Sequence, residues 1–217
     1  MKQPLPPSDP ARIITEGAHE LGVPLSEASV PKLVRHLELI REWNRKINLT
    51  ALRDLRDMAV YHVLDSLTVF KVLFFSKIRM LDIGTGGGFP GLVLRIVDND
   101  LNITLLDRDT KKIVFLKYAA HELGLERIRF LNFRIADLIH SPVLFDVVIS
   151  RAFSSDVDVL GSLHQLLSTG GYLIRMAGPA PLHADFFPEH FVEWDRWEGH
   201  LPFSDSFRRV ILYKKTS

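Results

Sequence analysis

79-RMLDIGTGGGFPG-91 sets a short apolar run directly before five glycines and a proline. An apolar run of this length bounded by glycines reads as a buried strand, and the glycines behind it read as a tight strand-to-helix turn. Gly86, Gly88 and Gly91 satisfy G-x-G-x-x-G, a spacing that lets the backbone approach a nucleotide-like group. In an open parallel sheet ligands lie beyond the C-terminal ends of the strands, so this turn marks the expected ligand edge. A tight turn without a ligand is the alternative that glycines alone leave open.

Downstream, short apolar runs alternate with amphipathic segments, the grammar of parallel βαβ units. The expected strands are 79–83, 102–107, 128–133, 145–150 and 171–176, with helices near 90–97, 109–124 and 156–168. In the second helix Ile113, Leu116, Ala120 and Leu123 share one face, and Gly124 is a fitting stop. Residues 190–201 and 207–215 read as an antiparallel pair that closes the sheet. The fold class is therefore α/β: a Rossmann-like, doubly wound sheet with an antiparallel last strand.

Upstream the periodicity is helical. Leu33, Leu37, Ile40 and Trp43 recur at three- and four-residue steps behind Ser29, a candidate N-cap, and Pro31 in the first turn. Residues 57–75 continue the helical pattern, whereas 1–10, with four prolines, read as a tail. Two parts are expected: a tail and helical cap over 1–75, and a Rossmann-like domain over 76–217.

The 217 residues are 47% hydrophobic with a net charge of +1, which fits a globular chain and leaves any polyanion partner to a local basic face. With no cysteine, disulfides, thiolate metal sites and cysteine nucleophiles are all excluded. No apolar h-region opens the chain and no run approaches the length of a membrane span, so a soluble cytoplasmic protein with no membrane contact is expected.

Asp82 decides how the glycine loop is read. In D-x-G-x-G-x-x-x-P-G a carboxylate near the loop mouth repels a phosphate and attracts an ammonium or a sulfonium. S-adenosyl-L-methionine carries both cations and no phosphate. Asp107, 21 positions after Gly86 and at the end of the second strand, suits ribose hydroxyls. Capping of loop N–H groups by Asp82, and a turn begun by Asp107, are the structural alternatives.

The runs 43-WNRKINLTALRD-54, 62-HVLDSL-67, 82-DIGTGGGFPG-91, 105-LLDRDTKKIVFL-116 and 145-FDVVISRAF-153 together resemble the bacterial small-subunit rRNA guanine-N7 methyltransferases, the RsmG or GidB family. The resemblance spans about Trp43 to Gly178, with a weaker echo in 208-RRVILYKK-215. It implies a class I methyltransferase that uses S-adenosyl-L-methionine to methylate a guanine of 16S rRNA in the small ribosomal subunit. By motif position, it places cofactor contacts on Gly84, Phe89, Ile135, Ala136 and Arg151. With Asp82, Gly86 and Asp107 these complete the expected cofactor site. The chain departs from the family pattern at Ala177, where a lysine is expected, and at Tyr61, where a basic residue is. Arg175, on the same strand face as Ala177, is the candidate replacement.

Guanine N7 presents a free lone pair, so its methylation needs no general base. Cytosine C5 methylation needs a thiolate, and exocyclic-amine methylation usually shows N-P-P-Y where this chain has 150-SRAF-153. Arg151 is the candidate catalytic residue, able to bind a carboxylate or the guanine O6 and N7 acceptors. Phe153 reads as core. For RNA, residues 32–56 hold seven basic side chains, Lys32, Arg35, Arg41, Arg45, Lys46, Arg53 and Arg56, against three acidic ones. They would position rRNA, with Arg208, Arg209, Lys214 and Lys215 as a second cluster. His62 and Asp65, three apart, read as surface or packing groups; no metal is expected, and the protein is expected to be a monomer. A homologue that keeps the cofactor fold without turnover and an NAD-dependent oxidoreductase are the competing readings.

Overall fold

In a computed structural model of the chain, which describes residues 8–73, 77–138, 143–151, 163–179 and 190–216, the apolar runs assemble into one seven-stranded sheet. The strands are β1 (Arg79–Ile83), β2 (Asn102–Leu106), β3 (Ile128–Leu131), β4 (Phe145–Ser150), β5 (Leu167–Ala177), β6 (Phe191–His200) and β7 (Phe207–Lys215). Their spatial order is β3-β2-β1-β4-β5-β7-β6. β1 to β5 pair in parallel, and β7 lies antiparallel between β5 and β6. Strand order reverses between β1 and β4, which creates the crevice where such sheets take ligands. Asp82 sits at that reversal, in register with Leu105 of β2 and Ile149 of β4.

The helices are α1 (Pro10–Glu20), α2 (Ser29–Trp43), α3 (Leu55–Met58), α4 (Asp65–Leu67), α5 (Gly91–Val97), α6 (Thr110–Glu122) and α7 (Ile135–Leu138). A π-helical turn (Ala59–Leu64) joins α3 to α4, and a 3₁₀ turn (Thr68–Lys71) follows, so of the predicted helix over 57–75 residues 57–71 form one helical stretch of changing pitch, and 74–75 lie outside the described residues. Ser29 is the first helical residue of α2 and not its N-cap; its hydroxyl bonds Ser26 Oγ (2.7 Å) and the Ile96 carbonyl (3.4 Å). That choice ties α2 to α5 instead of closing its own first turn. Asp109 caps α6 through the Lys111 N–H, and Gly124, at φ +60°, ends it as expected.

Most of the predicted helix over 156–168 lies outside the described residues, as does Phe153; the remainder is a 3₁₀ turn (Leu163–Leu166) and the start of β5, which begins earlier than expected. One apolar core crosses the predicted boundary at 75–76. Ile13 and Leu37 from the cap pack in the same cluster as Leu92, Phe115 and Ile174, with Trp43 edge-on to Phe115 at 5.6 Å. A second cluster, including Leu81, Val148 and Tyr213, fills the other face of the sheet. Among the described residues no helix is long and apolar enough to cross a membrane.

Candidate functional site

The glycine loop leaves β1 at the switch point, and its glycines divide by what surrounds them. Gly84 (φ +68°) and Gly86 (φ +59°) adopt left-handed backbone, and a Cβ built on Gly84 meets nothing within 4 Å. On Gly86 the nearest atom is the Gly84 carbonyl, at 3.9 Å. These two line open space. A Cβ on Gly88 would lie 2.8 Å from Leu92 Cβ, and one on Gly91 would lie 2.5 Å from Leu105 Cδ2 and 2.6 Å from Asp82 Oδ2. Of the literal G-x-G-x-x-G, only Gly86 faces the ligand side; Gly88 and Gly91 are glycine because the loop and α5 press onto the core.

The expected place of Asp82 at the loop mouth is corrected. The residue is fully buried beneath the loop, and its Oδ2 accepts the Gly91 N–H at 2.9 Å. Burial pushes its carboxyl up to about 6; the Thr85 hydroxyl, near enough to oppose that without a well-formed hydrogen bond, and the Gly91 N–H pull it down. The carboxylate thus occupies a donor at the start of α5, which a phosphate at that helix end would otherwise use.

Asp107, just past β2 and 7% exposed, accepts the Gly86 N–H at Oδ2 (3.0 Å) and the Asp109 N–H at Oδ1 (2.9 Å). It both holds the loop and presents carboxylate oxygens, each with a second lone pair, at the ligand edge. Asn132, beyond β3, donates to the Asp107 carbonyl at 3.0 Å and ties the approach to Ile135 and Ala136 onto that edge. Ile135 is half-buried and Ala136 exposed at the start of α7.

Phe89 is 3% exposed, its ring stacked on His62 with centroids 4.4 Å apart and 5.1 Å from His36. Arg151, at the end of β4, sets its Cζ 5.4 Å from the centre of that ring. Arg151 Nη1 bridges His62 Nδ1 (3.1 Å) and the Tyr61 carbonyl (3.4 Å), and lies 3.8 Å from Asp65 Oδ2. His62 Nδ1 lies 3.1 Å both from Arg151 Nη1, toward which it can only accept, and from the Tyr61 carbonyl, toward which it can only donate, while Nε2 lies 2.7 Å from Thr50 Oγ1, a hydroxyl able to take either role. Burial, then the charge of Arg151, depress the His62 pKa to about 3.

His62 and Asp65, expected at the surface or in packing, are therefore part of the site. Asp65 is 5% exposed; burial raises its pKa, while Arg208 and Arg151 oppose the shift. Arg208 Nε, from β7, reaches Asp65 Oδ1 at 3.0 Å. Tyr61, His62, Asp65, Arg151, Met176, Ala177, Gly178 and Arg208 line an open cleft of about 340 Å³. Arg175 is not the cation near Ala177: it bonds Tyr213, in the cluster on the other face, whereas Arg208 enters the cleft. Sequence reasoning missed His36 and Asn132, read Asp65 as a surface or packing group, and placed Arg208 in a basic cluster for rRNA without its tie to Asp65; the signals were the H-x-L-D-S run and the echo at 208–215. Arg35 also leaves the predicted basic face, since Glu38 (3.2 Å), Glu42 (3.1 Å) and Glu122 (3.7 Å) engage it. No group of three His, Asp or Glu side chains among the described residues could hold a metal ion.

The comparisons with known proteins agree with this architecture. The TrmN crystal structure from Thermus thermophilus superposes with a TM-score of 0.53 at 19% identity, over 69% of this chain and 48% of that one. The N-methyltransferase NodS from Bradyrhizobium japonicum gives 0.54 at 14% identity, over 70% of this chain and 94% of that one. Both show the class I methyltransferase fold. The ribosomal RNA small subunit methyltransferase G of Neisseria gonorrhoeae is 42% identical over 92% of this chain and 95% of its own length. That of Hydrogenovibrio crunogenus is 35% identical over 91% of each. Since the pattern of GidB, rRNA small subunit methyltransferase G, also matches residues 29–184, the chain belongs to that family.

Proposed function

We propose that this protein transfers the methyl group of S-adenosyl-L-methionine to N7 of a guanine in the 16S rRNA of the small ribosomal subunit. The observation that carries the cofactor reading is the divided loop: open space over Gly84 and Gly86, above a helix start already taken by Asp82. A pyrophosphate needs that N–H and meets a carboxylate there; a phosphate-free, cationic cofactor does not need it. When bound, the cofactor supplies a methyl carbon made electrophilic by a sulfonium. Gly84 and Gly86 would cradle it, Asp107 would take its ribose hydroxyls, and Ile135, Ala136 and Phe89 would flank it.

The guanine N7 lone pair would be the nucleophile for that methyl carbon, with the carbon–sulfur electron pair kept by sulfur. No proton leaves N7, so the side chains have to orient and not to abstract. Arg151, the catalytic candidate, serves best by donating to guanine O6, because an N–H given to N7 would tie up the attacking pair. The 1–75 part supplies the RNA contact in this reading. Arg45, Lys46 and Arg53 are exposed on the 44–54 loop, which the Thr50–His62 hydrogen bond fastens to the cleft. A cytoplasmic monomer suits this role.

The test is methyl incorporation into small subunits from a strain lacking the modification, followed by mapping of the base. Methylation at one guanine N7 is expected, and Arg151→Ala should lower turnover by roughly 100-fold. Calorimetry that detects NAD but not S-adenosyl-L-methionine would overturn the reading; cofactor binding without transfer would favour an inactive homologue.

A further inference from the structure

The cleft beside the glycine loop carries charge that cofactor binding does not account for. Three segments distant in sequence bring Asp65, Arg151 and Arg208 together, the last two 3.8 and 3.0 Å from the carboxylate. Asp65 is the only acid among the described residues that line the cleft, so among these residues two guanidinium groups share one carboxylate and one positive charge is left over. Neutral His62 neither adds to that charge nor cancels it. Arg208 spends Nε on Asp65 and Nη1 on the Phe207 carbonyl, and its Nη2 has no partner among the described residues. The same holds for Arg151 Nη2, because only Nη1 makes its contacts there. Space adjoins these donors: Gly178 stands in the lining with nothing among the described residues within 4 Å of its Cβ position, and Ala177 fills little.

We propose that Arg208, held by Asp65, forms with Arg151 an oxyanion seat for a phosphodiester group of the RNA beside the target guanine. The proposal rests on the reading of the chain as an RNA methyltransferase, and it assigns Arg208 to substrate binding. A planar fork with free N–H donors matches phosphate oxygens. The guanine Hoogsteen edge is the poorer occupant for this pair, since a fork on O6 and N7 would block the reacting lone pair. Asp65 is a positioning residue: it draws both arginines from opposite walls toward one carboxylate and sets where their remaining donors point. The other source of an oxyanion is the carboxylate of the cofactor, and the two make opposite predictions.

Arg208→Gln should weaken binding of an unmodified 16S rRNA transcript about tenfold. It should also reduce the slope of log affinity against log salt by about 0.7 to 1, the share of one phosphate contact. Affinity for S-adenosyl-L-methionine should stay within about twofold of the unmodified chain. RNA affinity and salt slope equal to wild type would overturn the proposal; so would a loss of cofactor affinity with RNA binding intact, which would assign the seat to the cofactor carboxylate. If Arg208→Gln does not fold, Arg208→Lys keeps the charge but not the fork. It should then raise KM for RNA severalfold with KM for the cofactor unchanged, and an unchanged RNA KM would overturn the proposal equally. The binding arm does not depend on turnover. A wild-type protein that methylates no guanine N7 would sink the function proposed above while the transcript comparison still reads the seat.

Discussion

His36 offers a direct test of how the cap grips the loop. The imidazole is fully buried between α2 and the loop, with Nε2 2.8 Å from the Gly87 carbonyl. A carbonyl can only accept, so Nε2 carries the proton and Nδ1, which has no partner, stays bare. Protonating Nδ1 would bury a charge with nothing to receive it. Burial accordingly depresses the His36 pKa to about 4, against the opposing pull of the Gly87 carbonyl. The unfolded chain, with its histidine near 6.5, binds one more proton than the folded chain across pH 4–6.5, so acid removes stability over that window. Between pH 7 and 5 the loss from His36 alone is about 2 kcal/mol. His36→Leu abolishes the linkage and adds a pH-independent cost of about 1–3 kcal/mol for the unpaired Gly87 carbonyl. Urea unfolding at pH 7 and pH 5 isolates the effect. His62, which shifts in the same sense, and Asp82 and Asp65, raised and therefore opposite in sign, are common to both proteins and cancel in the difference. Wild type should lose about 2 kcal/mol more than the variant on acidification. Parallel losses would show that His36 titrates normally in the fold and refute the reasoning.

Gly91→Ala drives a methyl against Leu105 and Asp82 in the core, and should cost about 1–3 kcal/mol, seen as a fall of several degrees in Tm. Gly84→Ala meets open space and should cost about 1–2 kcal/mol for its left-handed backbone, while lowering affinity for S-adenosyl-L-methionine in calorimetry. Unchanged affinity would place the cofactor elsewhere. On the cap, Arg45→Ala should weaken RNA binding in a filter assay, whereas Arg35→Ala, already held by three glutamates, should leave it unchanged; equal effects would contradict the assignment of the basic face.

The sheet was legible because parallel strands are buried on both faces and read as bare apolar runs: 79–83 and 145–150 coincide with β1 and β4. Helix α6 was legible because one face is wet and its end is marked by Gly124. Pitch changes within residues 55–71 leave no mark on a periodicity of three and four, so the π turn that carries Tyr61 and His62 was not anticipated. The role of Asp82 was half legible. A carboxylate that ends a strand can stand at a loop mouth or cap the helix behind it, and only the packing of Gly91 decides. The pairing of Arg208 with Asp65 was beyond pattern reading, since it spans 143 positions, and face alternation along β5 favoured Arg175, which Tyr213 engages instead.

What the two halves of the ligand edge share is a gradient of charge. Asp82 and Asp107 lie under and beside the glycine loop, Arg151 and Arg208 lie at the cleft, and Arg151 feels both Asp65 and Asp82. A cationic cofactor favours the first side and a polyanion the second, so each ligand opposes occupancy of the other's place. In the proposed reaction one positive charge would pass from a cofactor held by the loop to a guanine N7 held at the cleft. Before transfer the guanine is neutral and Arg151 can draw on its O6 without penalty; afterwards the same guanidinium faces a cationic base at short range. The arrangement therefore holds the substrate base more tightly than the methylated one, and the contact that orients guanine for attack weakens as soon as the methyl has moved.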